Sequence, residues 1–224
     1  MVRPSKAGRS SNATRQVRDA EATQNQILDA AEEEFAKHGL IATRTEAIAA
    51  QTGVTKAMIY YYFKSKEGLY QAVLERAFSG LLQMSQQLDL DQLPPEEALE
   101  KSVREFLACE ARNPNLSRIL FHEAIQNQGE YYKSTGFPTL FRSLIVILDR
   151  GIAQGCFRPL DPLLTAINIV GTCVFYFMAH ENLKHLCPDK QMLSSDMIEQ
   201  HRQEAIALIM AGVTGQVNSR SQSE

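Results

Sequence analysis

The stretch Gly53-Val54-Thr55-Lys56-Ala57-Met58-Ile59-Tyr60-Tyr61-Tyr62-Phe63-Lys64-Ser65-Lys66 decides the fold. It holds a turn glycine, a residue suited to cap a helix, successive tyrosines and several lysines. A buried helix has little use for adjacent phenols, because each hydroxyl needs a hydrogen-bond partner. A short helix laid against phosphates can use them all. The pattern therefore points to the second helix of a helix-turn-helix, the element presented to DNA.

The residues just before it fit that reading. Thr43-Arg44-Thr45-Glu46 has the spacing of a capping box, in which the Thr43 hydroxyl takes a backbone N–H and Glu46 reaches back. Ile48 and Ala49 then face inward, Gly53 supplies a left-handed stop, and Thr55 caps the next helix. Two short helices joined around a glycine make the helix-turn-helix unit.

At these residues the chain resembles the TetR family of bacterial transcriptional regulators. The likeness rests on Gly53-Val54-Thr55, on Ile59-Tyr60-Tyr61-Tyr62-Phe63, on Lys64-Ser65-Lys66-Glu67-Gly68-Leu69, and upstream on Phe35, Gly39, Thr43, Ile48 and Ala49. It covers roughly residues 22 to 78. Gly68 departs from the family pattern, which favours a better helix former there. The resemblance implies base-reading roles for Thr55, Lys56, Ala57 and Tyr61, and phosphate contacts for Tyr60, Tyr62, Lys66 and Thr45. Lys56 can donate to guanine and the Ala57 methyl can meet a thymine methyl. Arg44 can reach a phosphate or a base edge. Ile59 and Phe63 are expected in the core.

The whole chain of 224 residues carries a net charge of −3, an odd total for a DNA binder. Its distribution resolves the conflict, since a local basic surface decides binding. Arg3, Lys6, Arg9, Arg15 and Arg18 all precede the first acid, Asp19. Residues 1–21 read as a disordered basic arm. Arg15 and Arg18 can enter a minor groove, with a solubilising tail as the equal alternative. Cys109, Cys156, Cys173 and Cys187 form no C-x-x-C pair, and no apolar signal segment precedes them. They read as reduced thiols of a cytoplasmic protein, with Cys109 the candidate if one senses oxidation.

Nearly every later segment reads as helix. Thr23-x-x-Gln26 has capping-box spacing and opens a helix that stops at Gly39. Others start at the Ser65 cap, Pro95, Asn113-Pro114, Pro138, Asp161-Pro162 and about Ser195. From Pro162 to Ala179 no residue is charged, which borders on a membrane span. Thr165, Asn168, Gly171 and Thr172 interrupt it, and no flanking cluster orients it. It reads as a helix buried by core on one side and a partner subunit on the other, with no membrane.

The fold class is thus all-α: an N-terminal three-helix helix-turn-helix head on a larger antiparallel helical body. The divisions are 1–21 arm, 22–66 DNA-binding head, 67–215 effector-binding and dimerisation body, and 216–224 polar tail. The family resemblance implies a homodimer through the last two helices. Two heads on a twofold axis would read a palindromic operator in double-stranded DNA.

Aromatic walls with a few polar groups suit a small organic effector. The body's candidates are Phe106, Phe121, His122, Phe141, Arg142, Asn168, Cys173, Phe175 and Tyr176. The run Asn113 to Glu123 resembles the bodies of TetR regulators related to the pyrimidine-utilisation repressor, with no ligand carried over. No catalytic residue, metal site or cofactor is assigned. His122-Glu123 lacks the second His of a zincin motif, His180 and His185 fall off one helix face, and no dinucleotide or phosphate loop is present. The expected function is a repressor released by an effector. An all-helical enzyme or carrier, or a regulator answering a protein partner or thiol oxidation, is the alternative.

Overall fold

The computed structural model describes residues 8–215, and among them there is helix, turn and loop but no strand. The chain divides into two compact units between Leu74 and Glu75. This boundary falls inside a helix rather than at residue 66, because the buried Leu69, Tyr70 and Val73 of that helix belong to the first unit.

In the first unit, α1 runs Gly8–Ala42, α2 Thr45–Thr52 and α3 Lys56–Phe63, and α4, Lys66–Gln87, begins there. One face of α1 carries Ile27, Ala31 and Phe35, fully buried. Phe35 meets the Tyr70 ring edge-on at 4.9 Å. α2 packs on α1, and α3 on α2. Gln51 donates to Glu33 at 2.9 Å and Gln26 to the Thr52 carbonyl at 3.1 Å, tying α2 to α1.

Three local expectations are corrected here. The segment from Gly8 to Glu21, expected as a disordered arm, is helical and continuous with the rest of α1. Residues 9–22 contain no Gly or Pro and several good helix formers, so nothing breaks the helix there. Residues 1–7 lie outside the described residues. Thr23 is consequently mid-helix and donates back to the Asp19 carbonyl at 2.8 Å, instead of capping.

The Thr43–Glu46 capping box is also absent: Arg44 is the N-cap of α2 and makes no side-chain cap bond. Gly39 breaks α1 at φ 69° and leaves carbonyls needing donors. Buried Thr43 serves them, its hydroxyl lying 2.7 Å from the Gly39 oxygen and 3.1 Å from that of Glu34. Glu46 is drawn to Lys56 instead.

The second unit holds the rest of α4, then α5 (Pro95–Arg112), α6 (Asn115–Gln126), α7 (Phe137–Ala153), α8 (Pro162–Leu186) and α9 (Ser195–Thr214). α5 is central, packing against α7, α8 and α9. Its Leu99, Val103 and Leu107 share a core with Leu148 of α7, Ala166 and Phe177 of α8, and Ile209 of α9. The proline and cap signals acted as expected: Pro95 opens α5, and Asp161 accepts the Leu164 N–H at 2.8 Å. The tail from 216 on lies outside the described residues.

By length and composition α8 is apolar enough to cross a membrane. It nevertheless packs against α5, α6 and α7, with Cys173 and Phe177 fully buried. Its other face, with Leu164, Ile167 and Phe175, stays half exposed.

Candidate nucleic-acid interface and body cavities

The geometry of α3 is set at both ends. Gly53 sits at φ 72° and its N–H bonds the Ala49 carbonyl at 2.9 Å, closing α2 with the left-handed residue that glycine adopts without strain. The Thr55 hydroxyl accepts the Met58 N–H at 3.2 Å, which starts α3. Ile59 is fully buried and anchors the helix.

The C-terminal end is tighter. Lys64 has φ 68° and ψ −47°, and the Ser65 N–H reaches back to the Phe63 carbonyl at 2.8 Å. That is a γ-turn, a strained way to reverse a chain. It separates α3 from α4 after eight residues, about 12 Å of helix. Gly68 belongs to the same device: a Cβ there would lie 2.2 Å from the Phe63 oxygen. The departure from the family pattern thus lets α4 begin against that carbonyl.

Six of the nine DNA-facing candidates lie exposed: Arg44, Thr55, Lys56, Ala57, Tyr60 and Tyr61. Tyr61 is 72% exposed and Tyr60 37%. Tyr62 is half-buried and meets the Tyr61 ring edge-on at 5.2 Å, and Phe63 is half-buried rather than core. The other two candidates differ. Thr45 is buried, its hydroxyl 3.5 Å from that of Tyr60. Lys66 is half-buried and its ammonium donates to the Ile41 and Thr43 carbonyls, both at 3.1 Å, so it ties down the end of α1.

Lys56 is held by charge. Its ammonium pairs with Glu46 and sits 5.8 Å from the Tyr60 ring centre. The hydrogen bond between them moves both groups in the expected directions, lowering the Glu46 carboxyl and raising the Lys56 ammonium. Lys64 lies 5.8 Å from the Tyr61 ring and donates to the Tyr61 carbonyl at 3.0 Å. Cations and phenols therefore alternate on one exposed surface, a donor-rich arrangement suited to phosphate oxygens.

The body's candidates do not gather at one place. Phe106 and Phe141 line a narrow cavity of about 90 Å³. Phe121 lines a wider cleft of about 350 Å³, with Ser117, Glu123, Tyr132 and Val174. Phe137 and Val170 belong to the walls of both. The remaining candidates lie elsewhere. Arg142, Asn168 and Phe175 are exposed, and His122 bonds Gln126 at 3.2 Å. Tyr176 donates to the Met192 carbonyl and stacks on His201 at 4.1 Å, a packing role. Cys173 is fully buried.

Two acids that the sequence reading passed over are fully enclosed. Glu110 and Glu123 are 0% and 1% exposed. Ser117 donates to Glu110, whose carboxyl is pushed up to about 7 by burial against the opposing pull of that bond. Glu123 accepts the Tyr131 N–H at 2.7 Å and the Asn127 amide at 2.6 Å. Register was the available signal: 99, 103, 107 and 110 follow one face of α5, as 116, 119 and 123 follow one face of α6. The Cys109 thiol is pushed up, by burial first and by Glu110 second, which disfavours its reactive thiolate.

Comparison with known proteins covers both units. Residues 27–73 match the family model "Bacterial regulatory proteins, tetR family", and residues 95–209 match "Tetracyclin repressor-like, C-terminal domain". The HTH-type transcriptional repressor NicS of Pseudomonas putida is 33% identical over 163 residues, 70% of this chain and 76% of that protein. The HTH-type transcriptional regulator RutR of Escherichia coli is 32% identical over 156 residues, 65% of this chain and 69% of the other. Among solved structures, the ketosteroid transcriptional regulator KstR2 of Mycobacterium tuberculosis superposes with a TM-score of 0.68 at 21% identity. The match covers 86% of this chain and 95% of that one, and shows the shared fold.

Proposed function

Because this chain belongs to the TetR family of bacterial transcriptional regulators, we propose that it represses transcription as a homodimer on a palindromic operator and is released by a small organic effector. The observation that carries the DNA-binding half is the surface of α3. Thr55, Lys56, Ala57, Tyr60 and Tyr61 face solvent while Ile59 anchors the helix from behind. Thr55, Lys56, Ala57 and Tyr61 are the residues for base edges. Tyr60 and Tyr62, with Arg44 in its extended cap, position the helix on phosphates. Thr45 and Lys66 support the phosphate side by holding α2 and the end of α1 in place.

The dimer reading is supported by the apolar faces that α8 and α9 leave half exposed, with Leu164, Ile167 and Phe175 on one and Leu208 on the other. A twofold pairing would cover them. The effector reading is supported by the apolar cavities of the body. Release requires that the effector bind the operator-competent and incompetent forms with different affinity. Work of this kind places the protein in the cytoplasm.

Selection of bound genomic fragments, followed by gel shift on the recovered site, tests the proposal. Lys56→Ala and Tyr61→Ala each weaken binding by roughly tenfold or more with helix content unchanged. Unaltered binding by both variants, or no selected DNA, would refute it. Removal of residues 1–18 flattens the salt dependence if the basic end joins the contact.

A further inference from the structure

The wider cleft of the body has walls of one electrical character. Leu120, Val170, Val174 and Met178 make it apolar, and its polar side chains are Ser117, Glu123 and Tyr132. Neither it nor the narrower cavity has a Lys, Arg or His among its lining residues. The buried Ser117 hydroxyl gives its only proton to Glu110 Oε2. What Ser117 offers the cleft is therefore lone pairs, an acceptor. Behind it, Glu110 Oε1 has no hydrogen-bond partner among the described residues. A buried carboxylate oxygen without a donor costs free energy.

The charge of Glu110 is felt on α8, the helix that carries Val170 and Val174. Cys173 of that helix is fully buried outside the cleft lining, and its thiol is pushed up to about 12, by burial first and by the Glu110 charge second. Glu123 supplies a second carboxylate at the wall, its oxygens bonded to the Tyr131 N–H and the Asn127 amide. An anionic guest would meet the Glu123 carboxylate, with Glu110 behind Ser117, and no counter-charge. A purely apolar guest would leave the Ser117 lone pairs unused. A guest with N–H donors and positive charge answers both.

We propose that this cleft binds an apolar organic cation, a primary or secondary ammonium on an aromatic or alicyclic body, with its N–H groups taken up at the wall by Ser117, which Glu110 backs, and by Glu123. This rests on the effector reading above and gives that effector a chemical class. The open side of the cleft, beside the exposed Phe121 and Ala124, admits the apolar end.

The test is calorimetric titration of the full chain with three probes of one shape: 1-naphthylmethylamine, 1-naphthalenemethanol and 1-naphthoate. The amine binds roughly tenfold or more tighter than the alcohol, and the carboxylate weakest. Glu110→Gln lowers amine affinity by roughly tenfold and leaves the alcohol within about twofold. Ser117→Ala weakens the amine less, and Val174→Trp, which fills the cleft, abolishes binding of all three. Circular dichroism confirms that each variant folds, and if Glu110→Gln does not, the Ser117 and Val174 variants decide.

Equal or tighter binding of the carboxylate, an absence of amine binding, or amine affinity indifferent to these substitutions overturns the proposal. Gel shift on the same preparations separates the two readings. Operator binding without amine binding defeats the cleft proposal alone. Amine binding with no DNA bound defeats the regulator reading alone.

Discussion

Lys56 of α3 and Glu46 of α2 form an ion pair across the helix-turn-helix, so a residue proposed to read bases is held by a carboxylate in the free protein. Both side chains remain about half exposed, at 47% and 62%. A phosphate or a guanine edge must compete with Glu46 for the ammonium. Glu46→Gln is therefore expected to tighten operator binding by roughly twofold to fivefold. It also repels phosphate less, so the log–log salt slope changes little while the affinity rises at every salt concentration. Fluorescence anisotropy with labelled operator at several ionic strengths measures both quantities. Weaker binding by the Gln variant would show that Glu46 orients Lys56 rather than restrains it.

Gly68→Ala reverses the usual helix rule. In an ordinary exposed helix interior that change stabilises by about 1 kcal/mol. Here the new Cβ would lie 2.2 Å from the Phe63 oxygen, a backbone atom held in the γ-turn at Lys64. We expect a loss of about 2 kcal/mol and a fall of several degrees in the melting temperature, read by circular dichroism. The melting temperature of Gly80→Ala provides the control, because no atom of the described residues lies within 4 Å of a Cβ at that position.

Glu110 sets a pH dependence. Its folded-state value, about 7, stands above the ordinary 4.5, so the folded chain binds the proton more tightly than the unfolded chain does. The stability it contributes is full below about pH 4.5 and is lost as pH rises to about 7. A gap of about 2.5 pH units corresponds to about 3 kcal/mol at most. Glu110→Gln is expected to be the more stable protein at pH 8 and near parity at pH 4.5. Urea denaturation at the two pH values measures the difference, and parallel pH profiles for the two proteins would locate the effect elsewhere.

The exposed apolar faces of α8 and α9 give a separate prediction. Ile167→Glu with Leu208→Glu places charge where the native side chains are 50% and 66% exposed. A monomer tolerates that change, whereas a dimer buried across those faces does not. Sedimentation at micromolar concentration is expected to show half the native mass, with helix content retained and operator binding lost. A native-sized particle would move the dimer contact to another surface.

How much was legible from the residues depended on how many competitors each signal had. Gly53, Thr55, Ser65, Pro95 and Asp161 act locally, and each marks a helix end where expected. Thr23 and Thr43 carry the same chemistry yet do not cap, because nearby α1 carbonyls take their hydroxyls. The side-chain commitments of Lys56 and Lys66 depend on tertiary neighbours, Glu46 and the end of α1, that no spacing rule reveals.

In the body, α8 is apolar on nearly every side, so periodicity cannot orient it. Asn168 and Phe175, expected at a ligand, point outward for that reason. Glu110 was missed for the opposite cause. It is a charged residue that received no role, although its register on α5 places it inward.

Phe137 and Val170 stand as a party wall between two chambers. Whatever rotamer an occupant of one chamber selects for Phe137 sets the room left in the other, because close-packed side chains shift together. Two guests would then never be independent, and the help or hindrance would be mutual and equal in size. Compounds screened one at a time would miss this, and a mixture would reveal it.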